Sequence, residues 1–128
     1  MILERGSDRR RFQRLKLHMS VYFRVDAPIY ARVWFGDQEM EADMVDISEQ
    51  GMGIRTRHDI PLLTTLRIRF SLFKLNRQGA VDFSAPFEME GEVRSNISGD
   101  EKDRRLGICF IHQQERLAAA IGDFASAA

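Results

Sequence analysis

The sequence predicts a mainly-β domain, a closed or nearly closed antiparallel barrel with a short helix at its C-terminus. Three observations carry this prediction. About six or seven short segments alternate apolar with polar residues, turn-forming residues separate them at intervals of about 8 to 12 positions, and helical spacing is found only near the C-terminus. A chain of 128 residues with 44% hydrophobic side chains fits one domain with one core.

The first half of the chain contains strands that can be read from this alternation. Residues 18–25 place an apolar side chain at every second position, which is the period of a half-buried strand. Residues 26–28 end this strand, residues 30–35 are predicted to be the next strand, and residues 36–38 are predicted to be a hairpin turn. Residues 39–47 then form a further strand. The core residues expected in the first strand are Met19, Val21, Phe23 and Val25.

The second half of the chain continues the pattern. Residues 66–70 and 87–93 alternate without error, and their arginines and glutamates fall on the polar side of each strand. These two strands are therefore expected to pair, with opposite charges on one outer face. Residues 73–86 between them are predicted to form a long loop, residues 95–103 a polar connection, and residues 105–111 the last strand.

A helical period replaces the strand period in residues 115–125. Leu117, Ala120, Ile121 and Phe124 fall on one face at helical spacing. We therefore expect a short amphipathic helix that packs on the barrel.

Charge and cysteine content narrow the class of protein. The chain has 19 basic and 19 acidic residues, so no overall charge attracts it to nucleic acid or to an anionic membrane. Residues 1–16 nevertheless carry six basic and two acidic side chains, a local net charge of +4. One cysteine excludes an intramolecular disulfide, and no apolar segment approaches the roughly 20 residues that span a bilayer. Because the first residues become polar too early for a signal peptide, we expect a cytoplasmic protein without membrane insertion.

One candidate site lies in a turn between two predicted strands. Asp46 and Ser48 come at the end of the first strand, and Gly51 begins the second, so the two polar side chains are expected at the rim of the barrel. Taken alone, these residues are typical of a hydrogen-bonded turn in which glycine supplies a positive φ.

A second candidate site is the arginine run in residues 9–14. Taken alone, it is typical of a solvated N-terminal arm or of a general phosphate-binding patch. Taken with the turn, it matches a guanine nucleotide. Guanidinium groups bind phosphate oxygens in pairs and donate to O6 and N7 of guanine, and a carboxylate accepts from guanine N1–H and from its exocyclic amine.

The two motifs together resemble the signature of the PilZ domain family, an Arg-x-x-x-Arg box followed further along the chain by Asp/Asn-x-Ser-x-x-Gly. A third, weaker similarity is found in residues 105–110, which resemble the family's Leu-Gly-x-x-Phe strand before its C-terminal helix. The similarity covers roughly residues 4–125. The residues that match the two-part signature are Arg10, Arg14, Asp46, Ser48 and Gly51, and Arg9 matches a frequent extra arginine before the box.

The resemblance implies a six-stranded antiparallel barrel whose arginine-rich arm folds over the outer surface to bind cyclic di-GMP. The implied divisions are an arm in residues 1–16, the barrel in residues 17–112 and the helix in residues 113–126. Arg10 and Arg14 would hold phosphates and the Hoogsteen edges of guanine, assisted by Arg9. Asp46 and Ser48 would bind guanine and phosphate, and Gly51 would form the close turn. A further residue from a later strand is often part of the pocket, and Arg94 is the nearest candidate.

The resemblance further implies a receptor that signals through an effector protein, which the sequence does not identify, and that has no catalytic residues and no cofactor. One alternative is a PilZ-like interaction module with weak or no nucleotide binding. Another is a nucleic-acid-binding barrel that uses the arm and Trp34, although zero net charge speaks against it and no DNA is expected. The sequence leaves monomer and dimer equally open.

The remaining candidate side chains indicate no further chemistry. His18, His58 and His112 lack the spacing of metal ligands, so no metal is expected, and Cys109 is predicted to be a small core residue. Trp34 and Phe35 are predicted to lie in the core or to cover the barrel.

Overall fold

The structure, a computed structural model, describes residues 2–3, 15–75, 78 and 81–127. Most of these residues lie in strands, as the alternating sequence predicts. The elements in chain order are β1 (Ile2–Leu3), β2 (Leu15–Ala27), α1 (Ile29–Phe35), β3 (Met40–Ser48), β4 (Gly51–Thr56), β5 (Thr65–Leu75), β6 (Val81–Ser98), a 3₁₀ turn (Asp100–Lys102), β7 (Arg104–Phe110) and α2 (Glu115–Ala127).

Six of the strands form a closed antiparallel barrel. The order in the sheet is β1-β2-β3-β4-β7-β6-β5, and β2 also pairs with β5, which closes the sheet on itself. Strand β2 reaches both neighbours because its first part pairs with β3 and its last part pairs with β5. The predicted six-stranded barrel with a C-terminal helix is therefore confirmed.

Alternation along the strands fills the barrel interior. Val21, Phe23 and Val25 of β2 are buried, and Met19 packs partly against them. The predicted pairing of residues 66–70 with residues 87–93 is also confirmed, with Arg67 opposite Glu90. Arg67 forms ion pairs with Glu90 at 3.2 Å and with Glu88 at 3.6 Å on the outer face. Side chains that alternate in this way bury one face of each strand and leave the other for charges.

The prediction of a strand in residues 30–35 is wrong, because this segment is helix α1. Its β-branched and aromatic residues imitate a strand, but Ala31 and Phe35, four residues apart, are the ones that pack toward the core. The predicted turn after it is the end of the helix, where Gly36 adopts φ 72° and its N–H donates to the Arg32 carbonyl. Trp34 is 82% exposed, so it neither lies in the core nor covers the barrel.

The predicted loop in residues 73–86 is also wrong, because β5 and β6 extend through most of it. Phe73 pairs with Ser84, and Leu75 pairs with Val81. A proline such as Pro86 is tolerated in a strand where its missing N–H removes no hydrogen bond of the sheet. The partner β7 pairs with β6 only from Gly91 onward, so Pro86 lies where β6 has one neighbour.

The polar connection predicted in residues 95–103 is only partly correct. Residues 95–98 continue β6 and pair with β7, and the connection itself is the short 3₁₀ turn that follows. Helix α2 agrees with its prediction, since Leu117, Ala120 and Ile121 are buried. Among the described residues, no helix is long and apolar enough to cross a membrane.

Candidate ligand-binding site

A β-bulge in β3 decides which way the motif side chains point. Met44 pairs with Ile54, while Asp46 pairs with the adjacent Gly53, so Val45 is one extra residue on β3. If Val45 instead paired regularly with β4, Asp46 would follow the alternation of the buried Met44 before it and face the interior. Instead Ile47 faces inward, and Asp46 and Ser48 lie on the outer face.

Asp46 accepts hydrogen bonds from strands β4 and β7. Its Oδ1 accepts a hydrogen bond of 2.9 Å from the Gly53 N–H of β4, and its Oδ2 accepts one of 3.2 Å from the Arg105 guanidinium of β7. Only 2% of Asp46 is exposed, although it lies on the outer face. Bonds to an ionised acceptor are roughly twice as strong as neutral ones, so this carboxylate is fixed in place.

Ser48 closes the turn that follows β3. Its Oγ accepts a hydrogen bond of 3.2 Å from the Gln50 N–H, and the residue is 4% exposed. The sequence predicted both side chains at an accessible rim, so their burial is a difference from that expectation. The hydrogen-bonded turn itself is as predicted.

Gly51 is required for a reason that the sequence does not show. Its φ lies outside the left-handed region, so the turn does not need glycine for a positive φ. A Cβ on Gly51 would lie 2.0 Å from the Ile108 carbonyl oxygen and 3.1 Å from its carbon, both backbone atoms of β7. Glycine therefore allows β4 and β7 to approach each other beside the motif.

Arg105 is the residue that sequence reasoning missed. The expected contributor from a later strand, Arg94, instead forms an ion pair of 2.7 Å with Glu92 on β6, which β7 separates from β4. Arg105 lies on β7 opposite Arg55, with 54% of its side chain exposed while one nitrogen contacts Asp46. Its position directly before Leu106 and Gly107 was visible in the sequence, but the register between β4 and β7 was not.

Arg9, Arg10 and Arg14 lie outside the described residues. The strand that follows them does approach the motif, since β2 pairs Leu15 with Ile47 and Lys16 with Asp46. The backbone two residues after Arg14 is therefore directly beside Asp46.

The remaining candidate side chains show no second site. The described residues contain no group of three or more His, Cys, Asp and Glu side chains that could hold a metal ion. The ring of His58 meets the ring of Phe23 edge-on at 6.2 Å between centroids. Cys109 pairs with Gly51 and is half-buried on the outer face, so its prediction as a core residue is wrong.

One protein-family model and several solved structures match this chain over most of its length. The sequence model of the PilZ domain matches residues 8–127. A comparison with curated proteins finds no match.

Three solved structures share the fold. The inhibitor of motility MotI/DgrA of Bacillus subtilis has a TM-score of 0.66 and 15% identity, over 88% of this chain and 47% of that one. The PilZ domain of YcgR from Escherichia coli, solved with c-di-GMP, has a TM-score of 0.54 and 14% identity, over 89% and 88%. The MrkH–c-di-GMP complex of K. pneumonia has a TM-score of 0.56 and 15% identity, over 92% and 50%. The chain spans about half the length of the first and third, and at these identities the likeness shows the fold alone.

Proposed function

Because the chain belongs to the PilZ domain family, we propose that it is a cytoplasmic receptor for cyclic di-GMP that catalyses no reaction. Binding fixes the arm of residues 1–16 on the outer face of the barrel, and the new surface is recognised by an effector protein. YcgR and MrkH, whose solved structures include c-di-GMP, share the fold and support this proposal.

The register between β2 and β3 is the observation that carries the proposal. Lys16 is the backbone partner of Asp46, and a residue of extended chain spans about 3.3 Å. Arg14 is two residues before Lys16, so its backbone is at most about 7 Å from that pair, which is within reach of an arginine side chain. The strand that follows the arginine box is thus the neighbour of the strand that carries Asp46 and Ser48, which supports the proposal that the two halves of the signature form one site.

The burial of the outer face beside the motif is a second support. Asp46, Ser48, Gly51 and Gly53 are all buried, although their side of β3 and β4 faces away from the barrel interior. Burial of an outer face is what an arm folded over it produces. We propose that the arginine run in residues 9–14 takes this position and that nucleotide binds between it and the outer face of β3.

Each motif residue then has a chemical role. Arg10 and Arg14, assisted by Arg9, donate to phosphate oxygens and to O6 and N7 of guanine, the pairing that guanidinium geometry favours. A carboxylate accepts from guanine N1–H, and Asp46, which Gly53 and Arg105 hold in place, is the proposed acceptor.

Arg105 adds a donor that the signature does not contain. Its guanidinium has five N–H donors, and with 54% of the side chain exposed it is able to reach a ligand phosphate while it bonds to Asp46. We therefore include Arg105 with the signature residues in the proposed site. Arg105→Ala is expected to weaken binding by about 10- to 150-fold, since a charge-assisted hydrogen bond contributes about 1.5–3 kcal/mol.

Isothermal titration calorimetry with cyclic di-GMP tests the proposal. We expect saturable binding, and Arg14→Ala or Asp46→Ala is expected to weaken it more than about tenfold, because each removes a charged partner. Asp43→Ala and Arg24→Ala are matched controls, since both residues are exposed, Asp43 on the strand that contains Asp46 and Arg24 on β2, which follows Arg14 in the chain. Absence of heat, together with an unchanged Tm at high micromolar ligand, would contradict the proposal.

A second candidate is an interaction module that binds nucleotide poorly or not at all. The observation in its favour is that Asp46 and Ser48 are buried and already bonded to the backbone of Gly53 and Gln50. In this case the motif serves the barrel alone. A pull-down of an effector that is independent of ligand and insensitive to Arg10→Ala would support it.

A further inference from the structure

Helix α1 presents an apolar face to solvent. Ile29 and Val33 are each 79% exposed. The residues that directly follow them, Tyr30 and Trp34, are 68% and 82% exposed. Both pairs are spaced by four residues, so the four side chains lie on one side of the helix. The opposite side, with Ala31, packs on the barrel.

Two further exposed leucines lie at the same end of the barrel as α1. Ala27 at the end of β2 pairs with Thr65 at the start of β5, so α1 and the connection of residues 61–64 leave neighbouring strands at the same end of the barrel. Leu62 and Leu63 in this connection are 55% and 65% exposed. We call Ile29, Tyr30, Val33, Trp34, Leu62 and Leu63 the α1 patch.

The conformation of Leu63 shows that its exposure is built into the fold. Its φ of 68° lies in the left-handed region, which is unfavourable for a leucine. The Leu63 N–H donates to the Val93 carbonyl at 2.7 Å, and the Val93 N–H donates to the Thr64 carbonyl at 2.9 Å. These bonds to β6 fix the backbone while its apolar side chain remains in solvent.

The area of the patch is large for a surface without a partner. A Trp or Tyr side chain has about 150–250 Å² to bury, so six exposed apolar residues amount to an area on the order of 600 Å² or more. The largest apolar patch of a typical monomer is about 300–600 Å², and larger ones mark interaction sites. One side of a standard protein interface buries about 800 Å².

The charges around α1 indicate which kind of partner covers the α1 patch. Arg32 is the one basic residue of the helix, and it is paired at 3.4 Å with Asp37, just beyond the helix end. An anionic lipid surface attracts helices whose polar face carries several lysines or arginines, which α1 lacks. A balanced pair of opposite charges instead suits a copy of the same surface.

We propose that the α1 patch is the interface of a homodimer, with α1 of one protomer against α1 of the other across a two-fold axis. A two-fold axis sets each patch against itself, so it requires a self-complementary surface. Arg32 and Asp37 meet this requirement, because Arg32 of one protomer is able to pair with Asp37 of the next. The net charge of zero adds no repulsion between copies.

The single tryptophan makes the proposal directly measurable. Trp34 is the only tryptophan of the chain and lies in the patch, so its emission reports whether the patch is covered. Light scattering after size exclusion, from low micromolar to several hundred micromolar protein, gives the mass. We expect the dimer mass at high concentration, with a blue shift of Trp34 emission and weaker quenching by acrylamide over the same range.

A matched pair of variants locates the interface. Val33→Glu is expected to raise the dimer dissociation constant more than about tenfold, because it buries a charge in the centre of an apolar contact. Ile111→Glu makes a similar change at an exposed residue beyond the end of β7 and is expected to leave the dimer intact. Both positions are exposed, and circular dichroism melts confirm that the variants fold.

Three results would overturn the proposal. They are a monomer mass throughout the concentration range, a dimer in which acrylamide still quenches Trp34 fully, and a monomer that binds anionic vesicles through Trp34. The measurements use no nucleotide, so their failure leaves the proposed function untouched, and failure of nucleotide binding leaves the dimer untouched.

Discussion

The two ends of strand β3 each depart from the usual relation between polarity and burial, but in opposite directions. At its last residues, Asp46 and Ser48 are polar and buried. Before its first residue, α1 carries Val33 and Trp34, which are apolar and exposed. Polar side chains are mostly exposed and large apolar ones are mostly buried, so each end departs from the rule in a way that needs an explanation. The two regions are separated by roughly 25 Å along nine residues of strand.

The difference between these ends lies in what holds each arrangement. The buried polar residues are tied to the barrel by hydrogen bonds from Gly53, Arg105 and Gln50, so their removal disturbs the fold. The exposed apolar residues contribute little to the folded monomer. Substitutions at the first end are therefore expected to change stability, and those at the second end association alone.

The largest effect on stability is expected from Gly51→Ala. The new Cβ would overlap the Ile108 carbonyl oxygen, and backbone cannot rotate away, so we expect a loss of about 3 kcal/mol. Gly107→Ala is the control on the partner strand, because there the nearest atom is the Ser95 hydroxyl oxygen at 2.3 Å, which is able to rotate. We expect a loss of about 1 kcal/mol for it by urea unfolding. Equal losses would mean that β4 and β7 separate easily.

Asp46→Ala is expected to lower stability by about 1–3 kcal/mol, because it leaves the buried Gly53 N–H without its acceptor. Asp43→Ala, at an exposed position of the same strand, is expected to stay within about 0.5 kcal/mol. Urea unfolding of both variants without ligand provides the measurement. If Asp46→Ala were as stable as Asp43→Ala, the polar end would not be held by its hydrogen bonds.

Trp34→Ser is expected to change the stability of the monomer by no more than about 0.5 kcal/mol, since the side chain is almost fully exposed. Thermal melts at low micromolar concentration measure this. A loss as large as that of Asp46→Ala would show that the α1 patch supports the fold, and the contrast between the two ends would fail.

The smallest effect is expected at the start of β3, where Arg69 donates two hydrogen bonds to Glu39 and stacks on Tyr22. These hydrogen bonds lower the pKa of Glu39 below its ordinary value of 4.5. A lowered carboxyl pKa contributes stability that is present above the ordinary value and is lost as the pH falls through the folded-state pKa. Glu39→Gln is therefore expected to lower Tm slightly at neutral pH, and the difference should shrink as the pH falls below 4.5 and vanish once it is below the folded-state pKa of Glu39. If the Tm difference between Glu39→Gln and the unchanged protein persisted in acid, or in a protein that also carries Arg69→Met, the ion pair with Arg69 would not be its cause.

Much of this architecture could be predicted because period-two alternation is strong in strands with one buried face. Residues 18–25 and 66–70 are examples, and α2 was equally plain from its helical spacing. Helix α1 was misread because its seven residues are rich in aromatic and β-branched side chains, which local propensity assigns to strands, while the contacts of Ala31 and Phe35 made it a helix.

The candidate site was predictable only in part. Asp46, Ser48 and Gly51 are found together because they are close in sequence, and the strand after the arginine box lies beside them. The contact of Arg105 with Asp46 depends on the register between β4 and β7, which no local pattern contains. The position of Asp46 on the outer face depends on the bulge at Val45.

That bulge makes the meaning of the signature depend on strand register. A chain with the same Asp-x-Ser-x-x-Gly letters, in which residue 45 paired regularly with β4, would spell the signature intact. By the alternation of β3, it would also turn the carboxylate into the apolar interior, away from the outer face. A search by letters would accept both chains, although only one presents the carboxylate on the outer face. The register of the strand before the motif is therefore part of the signature, although its letters do not contain it.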